Sequence, residues 1–288
     1  MLIIGIIGTG LLGSAIAKRL ASSGFKVHAY NRTRKKVEVL TKYGITVENT
    51  PKALAEKCNV VITIVKDAQV IEKISFGKDG LVHGRHRGLI VADMSTINPI
   101  SSRKIAKKFA GKKISMIDTP VMGGPSLAEK GQMIVMVGGK KETYQKCKPI
   151  FDAIGEKTFH LGKNGSGHAM KLAMNSQIGI LALSLSEGII LAKKSGLDPI
   201  TFLEVLNSTY FKTGMSVNKG PKMAKGNFEP SFFLKMMQKD LDEINQTAKK
   251  FGANMPMSGL ANKIYKKAIK RGFGDIDYTG VLAFLEKS

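Results

Sequence analysis

The chain opens with a change of period. Residues 2–8, LIIGIIG, form a continuous apolar run that predicts a buried strand. Residues 11–24, LLGSAIAKRLASSG, place small and apolar residues at helical spacing and stop at Gly24, which predicts a helix. A second strand is predicted at KVHAYN (26–31). The alternation then continues. Strands are predicted at VVITIV (60–65), GLIVADMST (88–96), KISMIDTPVMGG (113–124) and QMIVMVGG (132–139), with helical segments such as ISSRKIAKKFA (100–110) between them. Strands alternating with helices predict an α/β, doubly wound sheet with Rossmann-like organisation.

The pattern changes after FHLGKNGSG (159–167). Strand signals disappear. Residues 167–195 read as one long helix, apolar nearly all round and stopped by SGLDP, so it is expected to be buried, to run between two halves of the molecule and to meet a partner subunit. Further helices are predicted at 199–208, 231–252, 258–272 and 279–287. The expected organisation is a nucleotide-binding α/β domain over 1–163 and an all-α domain over 164–288, joined by the long interdomain helix.

A length of 288 residues suits two ordinary domains, and a hydrophobic content of 43% can fill their cores. The net charge is +23, and the pI is about 9.9. The lysines are scattered, which fits a solvated surface; an acidic partner or anionic substrate is the competing explanation. The clusters at 107–113 and 263–271 carry no nucleic-acid motif and no row of interleaved aromatics. Two cysteines, Cys58 and Cys147, make no disulfide framework and fit a reducing, cytoplasmic setting. The five histidines form no metal-binding spacing, so no metal is expected. The apolar start has no basic leader and stops at Lys18, so neither a signal peptide nor a membrane anchor is expected.

Chemistry enters at the first strand-to-helix junction. Gly8-Thr9-Gly10-Leu11-Leu12-Gly13 is a G-x-G-x-x-G. Gly8 permits the tight turn, Gly10 lets a pyrophosphate approach the backbone, and Gly13 lets helix and strand pack closely. The end of the second strand carries no carboxylate for ribose hydroxyls. It has Asn31, Arg32 and Thr33, which can hold a ribose hydroxyl and a 2′-phosphate, so NADP is expected over NAD. Ligands of such sheets lie beyond the strand C-termini, where Val65, Lys66, Ser95, Thr96, Gly123 and Gly124 fall. Ser95 and Thr96 could instead cap the helix after Pro99. In the long helix, Lys171 and Asn175 are four residues apart and share a face.

The whole pattern resembles the β-hydroxyacid dehydrogenase family, the relatives of 3-hydroxyisobutyrate dehydrogenase and of glyoxylate/succinic semialdehyde reductase. Four motifs carry the resemblance in order: the glycine loop, DMSTINP (93–99), DTPVMGGPSLAEKGQMIVMVGG (118–139) and GSGHAMKLAMN (165–175). A fifth is KDL, from Lys239 to Leu241. The resemblance implies that Lys171 is the proton donor and acceptor and that Asn175 binds the substrate oxygen. It implies that Gly123 and Gly124 cradle the substrate carboxylate, and that Thr96 and Lys239 lie near the nicotinamide. It also implies a small carboxylate-bearing aldehyde or hydroxy acid as substrate and a homodimer or homotetramer.

One position departs from the family. Its usual serine in V-S-G-G is replaced by Met122, a weak acceptor, leaving carboxylate recognition to backbone donors, Lys171 and Ser95 or Ser126. A competing expectation is a catalytically reduced nucleotide-binding module with a nucleic-acid or assembly role. Retention of Lys171 argues against it.

Overall fold

The computed structural model describes residues 2–288. The chain divides into two compact units, Met1–Lys171 and Leu172–Ser288. The first contains β1 (Ile3–Ile7), α1 (Leu11–Ser22), β2 (Lys26–Tyr30), α2 (Lys35–Glu38), β3 (Thr46–Val47), α3 (Pro51–Lys57), β4 (Val60–Thr63), α4 (Ala68–Phe76), β5 (Ile90–Asp93), α5 (Pro99–Gly111) and β6 (Ser115–Asp118). It continues with β7 (Val121–Met122), α6 (Pro125–Lys130), β8 (Met133–Val137), α7 (Lys141–Ile154) and β9 (Gly155–His160).

Six strands pair in the order β3-β2-β1-β4-β5-β6, all parallel. Apolar clusters lie on both faces, as a parallel sheet needs. Ile4, Ile6, Ile16, Leu20, Ile62 and Phe151 belong to one, and Leu54, Val61, Ile71, Val91, Ile105 and Phe109 to the other. The expected strands at 113–124 and 132–139 do not simply extend this sheet. Pro120 has no N–H to donate, and the chain leaves β6 at Asp118 to start a second, three-stranded sheet, β7-β8-β9. β7 and β8 are antiparallel, and β8 and β9 are parallel. The strand β9, whose residues are mostly exposed, has no apolar alternation to announce it.

The long helix α8 spans Ser166–Lys194. Its first six residues belong to the first compact unit, so by packing the units meet at 171/172, inside the helix. The physical reason is Asp118. Its buried carboxylate accepts the N–H of Gly165 at 2.7 Å and of His168 at 3.2 Å, capping from β6 a helix that begins some fifty residues later. Gly167 makes this approach possible, because a Cβ there would lie 2.6 Å from the Met136 carbonyl oxygen. Nor is α8 buried all round as its composition suggests. Met170, Met174, Leu181 and Leu191 are exposed along it, Leu191 by 69%.

The second unit holds the rest of α8 and the helices α9 (Pro199–Asn207), α10 (Gly214–Asn218), α11 (Gly220–Ala224), α12 (Leu234–Phe251), α13 (Pro256–Lys270) and α14 (Val281–Leu285). Leu234, Met237, Leu241 and Ile244 form the buried stripe of α12; Ala261, Tyr265 and Ala268 of α13 pack in the same core. Asp277, buried before α14, ties the connections together. It accepts from Lys219 Nζ (2.9 Å), the Ser231 N–H (2.9 Å) and hydroxyl (3.0 Å), the Phe232 N–H (3.3 Å) and the Thr279 hydroxyl (2.8 Å).

Burial alone would raise the Asp277 pKa, but the bonds from Lys219 and Ser231 outweigh it and hold the carboxyl below its usual range. A carboxyl with a lowered native pKa stabilises the fold above its unfolded pKa, and that contribution is lost as pH falls through the native value. Asp277→Ala is therefore expected to cost about 3 kcal/mol near neutral pH, because it leaves Lys219 and several donors unpaired. The loss shrinks towards acid pH, where the wild-type carboxyl is protonated. Urea unfolding at pH 7 and pH 3 checks both the magnitude and the sign.

Candidate active site

The turn between β1 and α1 is built from its glycines. Gly8 has φ +98°, and a Cβ there would meet the Ile64 carbonyl oxygen at 2.1 Å. A Cβ on Gly13 would lie 1.9 Å from the Gly8 carbonyl oxygen. Gly10 differs: no atom lies within 4 Å of its Cβ position. Two glycines are thus required by the protein's own packing, and the middle one faces open space where a ligand can approach the backbone. Gly10 also starts α1 without a side-chain cap, and no acidic residue occupies the first turn. Leu11 is exposed beside it, Leu12 half-buried. The helix N-terminus keeps its donors and its positive end for an anion.

The loop is held from below. Thr9, buried, donates its N–H to Asn31 Oδ1 at 3.2 Å and its hydroxyl to the Lys36 carbonyl at 3.2 Å. Asn31 Nδ2 donates to the Thr33 carbonyl at 3.0 Å. Both ends of the Asn31 amide are therefore engaged in joining the two turns. Arg32 and Thr33 stand exposed past the end of β2. Arg34 is turned away, bonded to Glu38 at 2.7 Å and to Asn49.

At the ends of β4 and β5 lies a buried network. Asp93, with no exposure, accepts from the Thr63 hydroxyl (2.7 Å), the Ser95 N–H (3.2 Å) and His168 Nε2 (3.2 Å). Burial raises the Asp93 pKa, but the His168 bond and charge and the two hydroxyl-bearing neighbours outweigh it and keep it low. Ser95 does not offer its hydroxyl to a carboxylate as expected. It is buried, accepts from the Val65 N–H at 3.0 Å and reaches the Thr63 carbonyl at 3.5 Å, so its hydroxyl is spent inside the fold. Nor do Ser95 and Thr96 cap α5; Asn98 does, accepting from the Ile100 N–H at 2.8 Å. Thr96 is half-buried and Lys66 exposed at the same edge.

Lys171, on the second turn of α8, is half-buried and points to the segment after β6: its Nζ lies 3.2 Å from Met122 Sδ. Gly123 follows with φ +128°, and Gly124 has open space at its Cβ position. The ammonium, the thioether and the two glycines are therefore brought together. In the second unit, Asn175 Nδ2 donates to Asp240 Oδ2 at 2.6 Å, and Lys239 Nζ pairs with the other Asp240 oxygen at 2.6 Å. Asp240, to which the KDL motif by itself assigns no role, thus joins two predicted residues. A carboxylate accepts only, so it orients the Asn175 amide and leaves the buried Oδ1 without a partner. No group of three or more His, Cys, Asp or Glu that could hold a metal exists among the described residues.

A glycine turn whose middle residue is open, at the carboxyl edge of a six-stranded parallel sheet, has the geometry of a dinucleotide-binding fold, and similarity to known proteins gives the class. Residues 3–162 match the NAD-binding domain of 6-phosphogluconate dehydrogenase, and residues 165–285 match the NAD-binding domain of NADP-dependent 3-hydroxyisobutyrate dehydrogenase. Glyoxylate/succinic semialdehyde reductase 1 of Arabidopsis thaliana is 34% identical over 97% of this chain and 96% of its own. The 2-(hydroxymethyl)glutarate dehydrogenase of Eubacterium barkeri is 30% identical over 99% and 95%. The crystal structure of 3-hydroxyisobutyrate dehydrogenase from Salmonella typhimurium superposes with a TM-score of 0.90 at 23% identity, covering 99% of this chain and 100% of that one. The chain belongs to the β-hydroxyacid dehydrogenase family and is a hydroxyacid oxidoreductase that uses a nicotinamide cofactor.

The glycine geometry separates two variants. Gly10→Ala is expected to fold with unchanged Tm while weakening dinucleotide binding about tenfold or more, because its Cβ enters ligand space only. Gly13→Ala is expected to lower Tm by about 5 °C or more, because its Cβ overlaps the protein itself. Thermal unfolding and cofactor titration together distinguish the two.

Proposed function

We propose that the protein is an NADP-dependent reductase of a small aldehyde or keto acid, working reversibly on the corresponding hydroxy acid, with Lys171 as the proton donor and acceptor. The observation that carries this reading is the position of Lys171. A helix capped from the sheet by Asp118 holds its ammonium over the Met122–Gly124 segment, at the edge that also bears the dinucleotide loop. A bound nicotinamide dinucleotide supplies or accepts the hydride. What the chain itself must supply is a proton at the carbonyl oxygen during reduction and a base that recovers it during oxidation; the Lys171 side chain serves both, the ammonium as donor and the neutral amine it leaves as base. Asn175, with its amide nitrogen taken by Asp240, presents Oδ1 as an acceptor for a substrate hydroxyl.

The choice of NADP rests on charge. Arg32 and Thr33 are exposed at the end of β2, and no carboxylate there repels a 2′-phosphate. The relatives named for glyoxylate, succinic semialdehyde and hydroxymethylglutarate point to short carboxylate substrates. Buried, reduced Cys58 and Cys147, whose thiol pKa values burial pushes up to about 12, suit a cytoplasmic setting.

The test is NADPH oxidation across a panel of semialdehyde and keto acids, with NADH as control. Lys171→Ala is expected to lower kcat about a hundredfold or more on the best substrate. Arg32→Glu is expected to remove the NADPH preference. Full activity of Lys171→Ala, or a wild-type preference for NADH, refutes the corresponding part of the reading.

A second copy of the chain is the expected cover for the exposed large apolar residues of the helical unit. Leu191, Val205 and Tyr210 are exposed there, Tyr210 by 89%. Sedimentation velocity of the wild type is expected to give a dimer or tetramer, and Leu191→Asp to shift it towards the 31.2 kDa monomer. A wild-type monomer would overturn this assembly.

A further inference from the structure

We propose that His168 is a positioning residue for Lys171: its bond to Asp93 fixes the rotation of the first turn of α8 and so aims the ammonium that follows three residues later. This deepens the reading of Lys171 given above and rests on it. The helix start is held twice. Asp118 takes the backbone N–H groups of Gly165 and His168, which fixes how far the helix stands from the sheet. A backbone anchor on the axis leaves rotation to be decided by side chains. The side-chain anchor is His168 Nε2 on Asp93 Oδ2, at 3.2 Å, with both residues completely buried. Residues three apart on a helix are neighbours, so a rotation that moves His168 also swings Lys171.

The anchor point is itself bonded on its other side. The other oxygen of Asp93 is held by the Thr63 hydroxyl and the Ser95 N–H, and Ser95 in turn holds the Val65 N–H. The same carboxylate therefore ties the ends of β4 and β5, where Val65 and Thr96 border the cofactor edge, to the helix that carries Lys171. A packing role alone does not account for a histidine here. His168 Nδ1 is buried without a partner, a cost that an apolar side chain would avoid. The unpaired nitrogen is tolerated because the opposite one is needed.

The test compares His168→Gln, whose amide nitrogen can replace Nε2 as donor, with His168→Ala, which cannot, and uses Phe109→Leu as a core control of similar stability loss. Two readouts are taken on the full chain. One is kcat and KM for the best substrate of the panel. The other is the rate at which Lys171 is reductively methylated by formaldehyde and borohydride, followed by mass spectrometry, which needs no turnover. Misplacing a positioned group by about 1 Å can cost about a hundredfold. His168→Ala is expected to lower kcat about tenfold or more with KM changed less than about threefold, and to change Lys171 methylation by about threefold or more. His168→Gln is expected to stay within about threefold of wild type in both. The proposal is overturned if His168→Ala lowers Tm like Phe109→Leu but leaves kcat and methylation unchanged, or if His168→Gln is as impaired as His168→Ala. If the wild type turns over nothing in the panel, the functional reading fails, while the methylation rates still decide the role of His168.

Discussion

The carboxylate of Asp118 stands at the end of a buried strand and takes the backbone donors that open α8, and the remaining chemistry of the first unit is arranged around that bond. A helix start leaves several N–H groups without partners, and burying them is costly unless something accepts them. Here the acceptor comes from the sheet and not from the residue preceding the helix. That choice forces close packing, which Gly167 permits, and it makes the first turns of α8 part of the sheet unit. Lys171 therefore inherits the rigidity of the strands and not the mobility of a loop. Side chains set on such elements hold their geometry better than side chains on connecting segments.

How much of this the chain announces depends on how local each signal is. The glycine turn was legible because two of its glycines answer to constraints close by, Gly13 against Gly8 and Gly8 against the end of the neighbouring strand, while Gly10 stays open between them. The strands β1, β4 and β5 were legible as largely apolar runs buried on both faces. The strand β9 was not, since an edge strand with exposed, polar residues leaves no periodic trace. The bond between His168 and Asp93 joins residues 75 apart, and no pattern in the sequence predicts such a pair. Ser95 shows the opposite error. Its position in a motif suggested a ligand contact, whereas the fold uses its hydroxyl to hold the Val65 backbone.

The apolar character of α8 illustrates a related limit. Composition told correctly that the helix is long, but it does not distinguish burial inside one chain from burial against another. Leu181 is exposed while Ala182, one position on, is completely buried, and Leu183 is buried again. All three are apolar, so residue type alone does not rank them, and only the packing separates them. An all-apolar helix is a statement about surface that must be covered, and not about which surface covers it.

Met122 is where sequence and geometry combine to restrict the chemistry. A serine at this place would present a hydroxyl that can donate and accept; the thioether donates nothing and accepts weakly. With its sulfur 3.2 Å from the ammonium, Met122 sits against Lys171. A polar group buried beside the sulfur would be desolvated without a strong partner, whereas an apolar group there would not. The segment thus keeps two glycines and sets a thioether, where the resembled family has a hydroxyl, against the Lys171 ammonium.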